Sequence, residues 1–263
     1  MFTKFVAIIT ILAAFLAQAC GHSTPLYLIC LIDMSGSIEL GEQPSQFDLL
    51  DPVFKQLRRG DSLVIIPITG DALNEAQGNI LRFQLGTRRE AYDADLRRLR
   101  TEIGEKLRLL KETVERSPYQ QTDLLGASEL CAEELATAPP NSRRLVVILS
   151  DFIQDDRRLN FTRDPRLASA ERAGQLARDL AASKEPLFHL ASVYLGFLRS
   201  SDLRKLPEPR RDALRSFWTE YLRARGAAEV FATTDGTGQV ARFLERARSE
   251  DARKNLADEQ AAD

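Results

Sequence analysis

Two rhythms of apolar residues alternate along the chain. Leu26 to Ile32, Leu63 to Ile68 and Leu145 to Leu149 are short runs with no charged residue on either parity. Runs of that length predict strands buried on both faces, here Leu26 to Asp33, Ser62 to Thr69 and Arg144 to Asp151. Between them the apolar spacing widens to three or four. Phe47, Leu50, Val53, Phe54 and Leu57 predict a helix over Gln46 to Arg59. Leu96, Leu99, Ile103, Leu107, Leu110 and Val114 form one stripe of a long helix over Arg89 to Arg116, with charges on its other faces. Asn79 to Leu85 alternates apolar with polar residues and predicts a short antiparallel edge strand.

The second half repeats the alternation. Helices are predicted over Leu124 to Ala136, Arg166 to Ala182, Pro209 to Arg225 and Gln239 to Arg248. Strands are predicted over Leu187 to Leu195 and Ala228 to Ala232. Strand and helix in turn imply an α/β fold: a doubly wound, mostly parallel sheet with helices on both faces and one short antiparallel edge strand.

The strand ends carry the chemistry. The first run stops at Asp33, and Ser35 and Ser37 follow at alternate positions. The run from Leu145 stops at Ser150-Asp151. Between them, Thr122 precedes Asp123, a suitable N-cap for the helix from Leu124. Carboxylates and hydroxyls are hard oxygen donors, the type that Mg²⁺ or Mn²⁺ selects. In open α/β sheets ligands bind at the carboxyl ends of strands.

Asp33-Met34-Ser35-Gly36-Ser37, Thr122-Asp123 and Ser150-Asp151, in this order and on these elements, resemble the von Willebrand factor type A domain. The resemblance spans residues 26–248. It implies a Rossmann-like fold and a metal-ion-dependent adhesion site. Ser35, Ser37 and Thr122 would ligate Mg²⁺ or Mn²⁺ directly, and Asp33 and Asp151 would act largely through bound water. Gly36 suits a tight turn around the ion. Phe152 follows Asp151 where many members of the family have glycine, so a bulkier loop is expected. The long helix and the polar segment from Phe152 to Pro165 also exceed what the fold needs.

Composition then narrows the picture. The chain has 263 residues and a formal net charge of −2, which argues against a nucleic-acid protein working by bulk charge. Residues 1–19 read as a secretory signal: Lys4, an apolar Phe5 to Leu16, and Ala17-Gln18-Ala19 before Cys20. The segment resembles a bacterial lipoprotein signal, with Cys20 as the lipid-modified residue and membrane attachment through it. It departs from that pattern at Leu16, one place early, and at the bulky Gln18. The protein is then exported, to the periplasm or to a membrane anchor at the cell envelope. Residues 20–25 are a linker, 26–248 the domain, and 249–263 a polar tail. Two readings of Cys30 and Cys131 stay open: a disulfide in an oxidising compartment, or two small buried apolar residues. His189 reads as a core residue within a strand, and His22 lies in the N-terminal segment.

The reading is an exported, divalent-cation-dependent protein-binding module, not an enzyme, whose partner protein supplies an Asp or Glu to the cation. A Mg²⁺-dependent phosphohydrolase on a similar sheet is the rival. Against it, Ser35 stands where such enzymes often place a second acid. A metal-independent envelope scaffold is the third reading.

Overall fold

Every side chain of β1 (Leu26–Asp33) is buried. Its odd positions Tyr27, Ile29 and Leu31 enter one core, and its even positions Leu28, Cys30 and Ile32 enter another. Only a central strand covered on both sides needs that composition. The computed structural model describes residues 24–40, 45–75, 78–116, 122–155 and 159–249. The chain divides into a compact unit, Pro25–Ala247, and a second unit made of Met1–Thr24 and Arg248–Asp263. The architecture that follows is that of the first. Residues 1–19, read above as a secretory signal, lie outside the described residues, as do Cys20, His22 and the tail from residue 250. No helix among the described residues is long and apolar enough to cross a membrane.

Six strands form one sheet: β1, β2 (Ser62–Ile68), β3 (Leu81–Gln84), β4 (Arg143–Ser150), β5 (Ser192–Phe197) and β6 (Glu229–Thr233), in the order β3-β2-β1-β4-β5-β6. All pairings are parallel except β2 with β3. The chain leaves β1 toward β2 and later returns to β4 on its other side. The order therefore reverses between β1 and β4, and in open α/β sheets ligands bind at the carboxyl ends of the strands beside such a reversal.

Helices α1 (Asp51–Gln56), α3 (Arg89–Arg116) and α8 (240–247 in this unit) cover the face that receives Cys30. Helices α4 (Leu124–Ala136), α5 (Ala170–Ala182) and α7 (Glu208–Ala224) cover the other. Two short helices, α2 (Ala72–Glu75) and α6 (Ser201–Lys205), sit in loops. Helix α3 has the predicted span. Leu99, Ile103 and Leu107 are its buried ridge, with Leu96, Leu110 and Val114 half-buried beside them.

Several expectations shift. Gln46 to Arg59 splits into a 3-10 stretch, Gln46–Leu50, followed by α1. The helix expected from Arg166 begins properly at Ala170, because Ser169 caps it by accepting from Arg172 N. The strand expected from Leu187 begins only at Ser192: Leu190 has φ +65°, outside strand geometry, and the Phe188 N–H donates to the Arg225 carbonyl instead of a ladder. His189 is consequently an exposed turn residue, not a core one. Cys30 and Cys131 are both buried and free, in the cores on opposite faces, which decides against the disulfide.

One ion pair ties α4 to the end of α7. Arg225, fully buried, gives both terminal nitrogens to Glu129 (2.7 and 3.0 Å), its Nε to the Glu185 carbonyl (3.0 Å), and a further bond to the Tyr221 hydroxyl (2.8 Å). Lys184 also pairs with Glu129. Burial alone would raise the Glu129 carboxyl, but the hydrogen bonds and charges of Arg225 and Lys184 outweigh it and hold the pKa at about 2.

Candidate metal centre

Parallel pairing sets the ends of β1 and β4 side by side, with Ile32 opposite Leu149. The next residues of each strand are the acids and hydroxyls. Ser150 Oγ donates to Asp33 Oδ2 (2.5 Å), and Ser35 N donates to Asp33 Oδ1 (2.8 Å). Ser35 Oγ lies 3.1 Å from Ser37 Oγ, and Ser37 Oγ donates to Asp151 Oδ2 (3.3 Å). Asp151 Oδ1 accepts from Ile153 N (3.0 Å). Four of the five predicted residues thus form one run of oxygens across two strand ends.

Thr122 is held differently. It is buried, its carbonyl accepts from Asp155 N (3.2 Å), and the following Asp123 N donates to the Thr69 carbonyl (2.9 Å). Among the described residues no hydrogen bond joins Thr122 to the Asp33–Asp151 run. Its position comes from the cap of α4. Asp123 Oδ1 accepts from Gly126 N (2.9 Å), and a Cβ at Gly126 would lie 2.1 Å from Asp123 Oδ2, so only glycine lets this cap close. Gly36 has no such role: a Cβ there would meet nothing within 4 Å, and its φ is not positive.

Sequence patterns missed two supporting residues. Gln154, fully buried, accepts from Leu125 N (2.9 Å) and reaches Asp123 Oδ1 (3.4 Å), joining the loop after β4 to the head of α4. Ser200 accepts from Leu203 N (2.9 Å), and its hydroxyl helps to lower the Asp151 carboxyl against the effect of burial. Ser150 itself bonds Asp33. A buried Gln or Ser at a loop start carries no periodic signal, and only the strand-end position could have flagged them.

Phe152 corrects the expectation of a bulkier loop. Its φ is +63°, a region unfavourable for a side chain with Cβ, at a cost of roughly 1 to 3 kcal/mol. The ring turns into the core instead of the loop, 4.3 Å from the Phe197 ring and 6.1 Å from Trp218. Trp218 Nε1 donates to the Phe152 carbonyl (2.9 Å). Aromatic packing holds the strained turn that aims Asp151.

The electrostatics are lopsided. Burial raises the Asp33 carboxyl, against the hydrogen bonds of Ser150 and Ser35 and the charge of Lys111. Burial and the charge of Asp33 push Asp151 up to about 7. Neither acid is ion-paired to a Lys, Arg or His among the described residues. Two anions out of water, joined by hydroxyls and lacking a cation, fit a hard divalent ion, which would offset the burial and the mutual repulsion. No group of three or more His, Cys, Asp or Glu placed to hold a metal exists among the described residues, so the candidate centre draws its donors from two acids and from hydroxyls.

No protein-family model and no curated protein matches the chain. Among solved structures it is similar to BatB of Bacteroides thetaiotaomicron, at 13% identity over 87% of this chain and 99% of that one, with a TM-score of 0.45. It is also similar to an aerotolerance-related membrane protein of Bacteroides fragilis carrying multiple mutations to serine (13%, 86% and 99%, TM-score 0.39). A third is the manganese-loaded TRAP protein of Plasmodium vivax (13%, 86% and 74%, TM-score 0.43). Likenesses this weak carry no argument about the site, which rests on its own residues.

Proposed function

We propose that the chain is a divalent-cation-dependent protein-binding module. Ser35, Ser37 and Thr122 would hold Mg²⁺ or Mn²⁺ directly, and Asp33 and Asp151 through water. The observation that carries the reading is the pair of buried acids, each accepting from a serine hydroxyl and neither ion-paired to a Lys, Arg or His among the described residues. A bound cation supplies one open position for an oxygen anion. Three neutral hydroxyls leave its charge largely uncompensated, so an Asp or Glu of a partner protein is the preferred occupant. The burial of Asp33, with both oxygens occupied by Ser150 and Ser35, also supports a binding role: an enclosed carboxylate is not placed to attack a phosphoryl group. On the sequence of residues 1–19 and Cys20, the module acts outside the cytoplasm, at the cell envelope.

Titration calorimetry of the purified protein with MgCl₂ and MnCl₂ tests the centre. One site is expected, weakened about tenfold or more in Ser35→Ala. Heats equal in wild type and variant, or absent from both, overturn the reading. Capture of an envelope partner in Mg²⁺ that persists unchanged in EDTA would place partner binding on another surface.

A further inference from the structure

Beside this centre lies a residue that the Asp-x-Ser-x-Ser pattern does not include. Thr69 follows the last residue of β2, the neighbour of β1 on the side away from β4. Ile68 pairs with Asp33, and the Ile68 carbonyl accepts from Met34 N (3.1 Å). The Thr69 carbonyl accepts from Asp123 N (2.9 Å). The backbone therefore strings Thr69 between the residue after Asp33 and the residue after Thr122. It is bracketed by two of the loops assigned to the cation.

Its hydroxyl is the odd feature. Thr69 is 7% exposed, and its Oγ1 is buried with no hydrogen-bond partner. The serine hydroxyls of the candidate centre behave otherwise: Ser35, Ser37, Ser150 and Ser200 are all hydrogen-bonded. A buried hydroxyl left alone is rare, and an ion or ordered water is the usual reason for one. Threonine is no better suited than valine to close a buried strand, so the hydroxyl calls for an occupant.

We infer that the Thr69 hydroxyl belongs to the metal centre and hydrogen-bonds the water shell of the bound cation, making β2 a fourth contributor beside the loops of Asp33, Thr122 and Asp151. The inference rests on the reading of the centre given above. A hydrated divalent ion keeps several waters, each needing an acceptor or donor in the protein wall. Thr69 would provide one where the known pattern provides none.

Thr69→Val and Thr69→Ser test this, with Mg²⁺ and Mn²⁺ as probes. Valine keeps the shape and removes the hydroxyl. Metal-free Thr69→Val should melt higher than wild type, by roughly 2 to 4 °C, because an unsatisfied buried group is gone. Its cation affinity should fall about tenfold. Thr69→Ser should keep wild-type affinity. A Thr69→Val protein that melts higher yet binds the cation as tightly as wild type assigns the hydroxyl to a structural water and overturns the inference, with the centre intact. Wild-type protein that binds no cation overturns the centre itself, and Thr69 with it.

Discussion

Half-buried Glu129 on α4 and the fully buried pair Asp33–Asp151 at the strand ends are carboxylates stabilised in opposite ways. Glu129 receives two nitrogens from buried Arg225, and Lys184 besides, and its carboxyl sits at about 2. Asp33 and Asp151 face serine hydroxyls and each other, and burial raises both. The first cluster is complete within the chain. The second has no Lys, Arg or His ion-pair partner among the described residues, and a bound cation would supply the missing charge. The fold pairs the fully buried Arg225 with an acid, whereas the two buried acids at the strand ends have no such counter-charge among the described residues.

That contrast can be broken from either side. The largest effect should come from Glu129→Gln, which leaves fully buried Arg225 without its counter-charge. Urea unfolding should show a loss of roughly 3 kcal/mol or more. A loss below about 1 kcal/mol would mean that Glu129 acts as an ordinary surface acid.

The pH dependence should come next. Glu129 has a folded pKa of about 2, below the ordinary 4.5. Its stabilising contribution is therefore complete above pH 4.5 and disappears as pH falls toward 2. Roughly 2 kcal/mol is at stake across that window, because the partial exposure of Glu129 screens the pair. Denaturation midpoints at pH 5.5 and pH 2.5 should converge between wild type and Glu129→Gln. Parallel curves would contradict the pairing.

The smallest effect should have the opposite sign. Asp151→Asn removes one uncompensated anion, and the metal-free protein should gain about 1 kcal/mol, seen as a melting temperature a few degrees higher. The same change should abolish the response to added Mg²⁺. A metal-free Asp151→Asn that unfolds more easily would show that Asp151 is compensated within the chain after all.

How much of this the sequence disclosed depends on whether a feature repeats. β1 announced itself because a strand buried on both faces tolerates nothing polar before Asp33. Helix α3 did so because Leu99, Ile103 and Leu107 recur at the helical period. Asp33, Ser35, Ser37 and Asp151 were legible because they terminate such runs. What stayed hidden has no period. The Glu129–Arg225 pair sits on amphipathic helices where charges ordinarily face water. Leu187 to Leu195 looks like one strand, since apolar density does not reveal the turn at Leu190. Gly36 suggested a constrained turn, but the conformational demand falls on Gly126 and Phe152. Thr69 resembles any residue leaving a strand, and its significance depends on which atoms fail to reach it.

Phe152 gives the molecule an optical handle. Trp218 is the only tryptophan in the chain, and its indole nitrogen is bonded to the carbonyl of the residue after Asp151. Indole emission responds to the polarity and rigidity of its surroundings. The fluorescence of the unlabelled protein is thus wired to the loop beside the acids, and each change of state there can be timed in a stopped-flow cuvette without adding a dye.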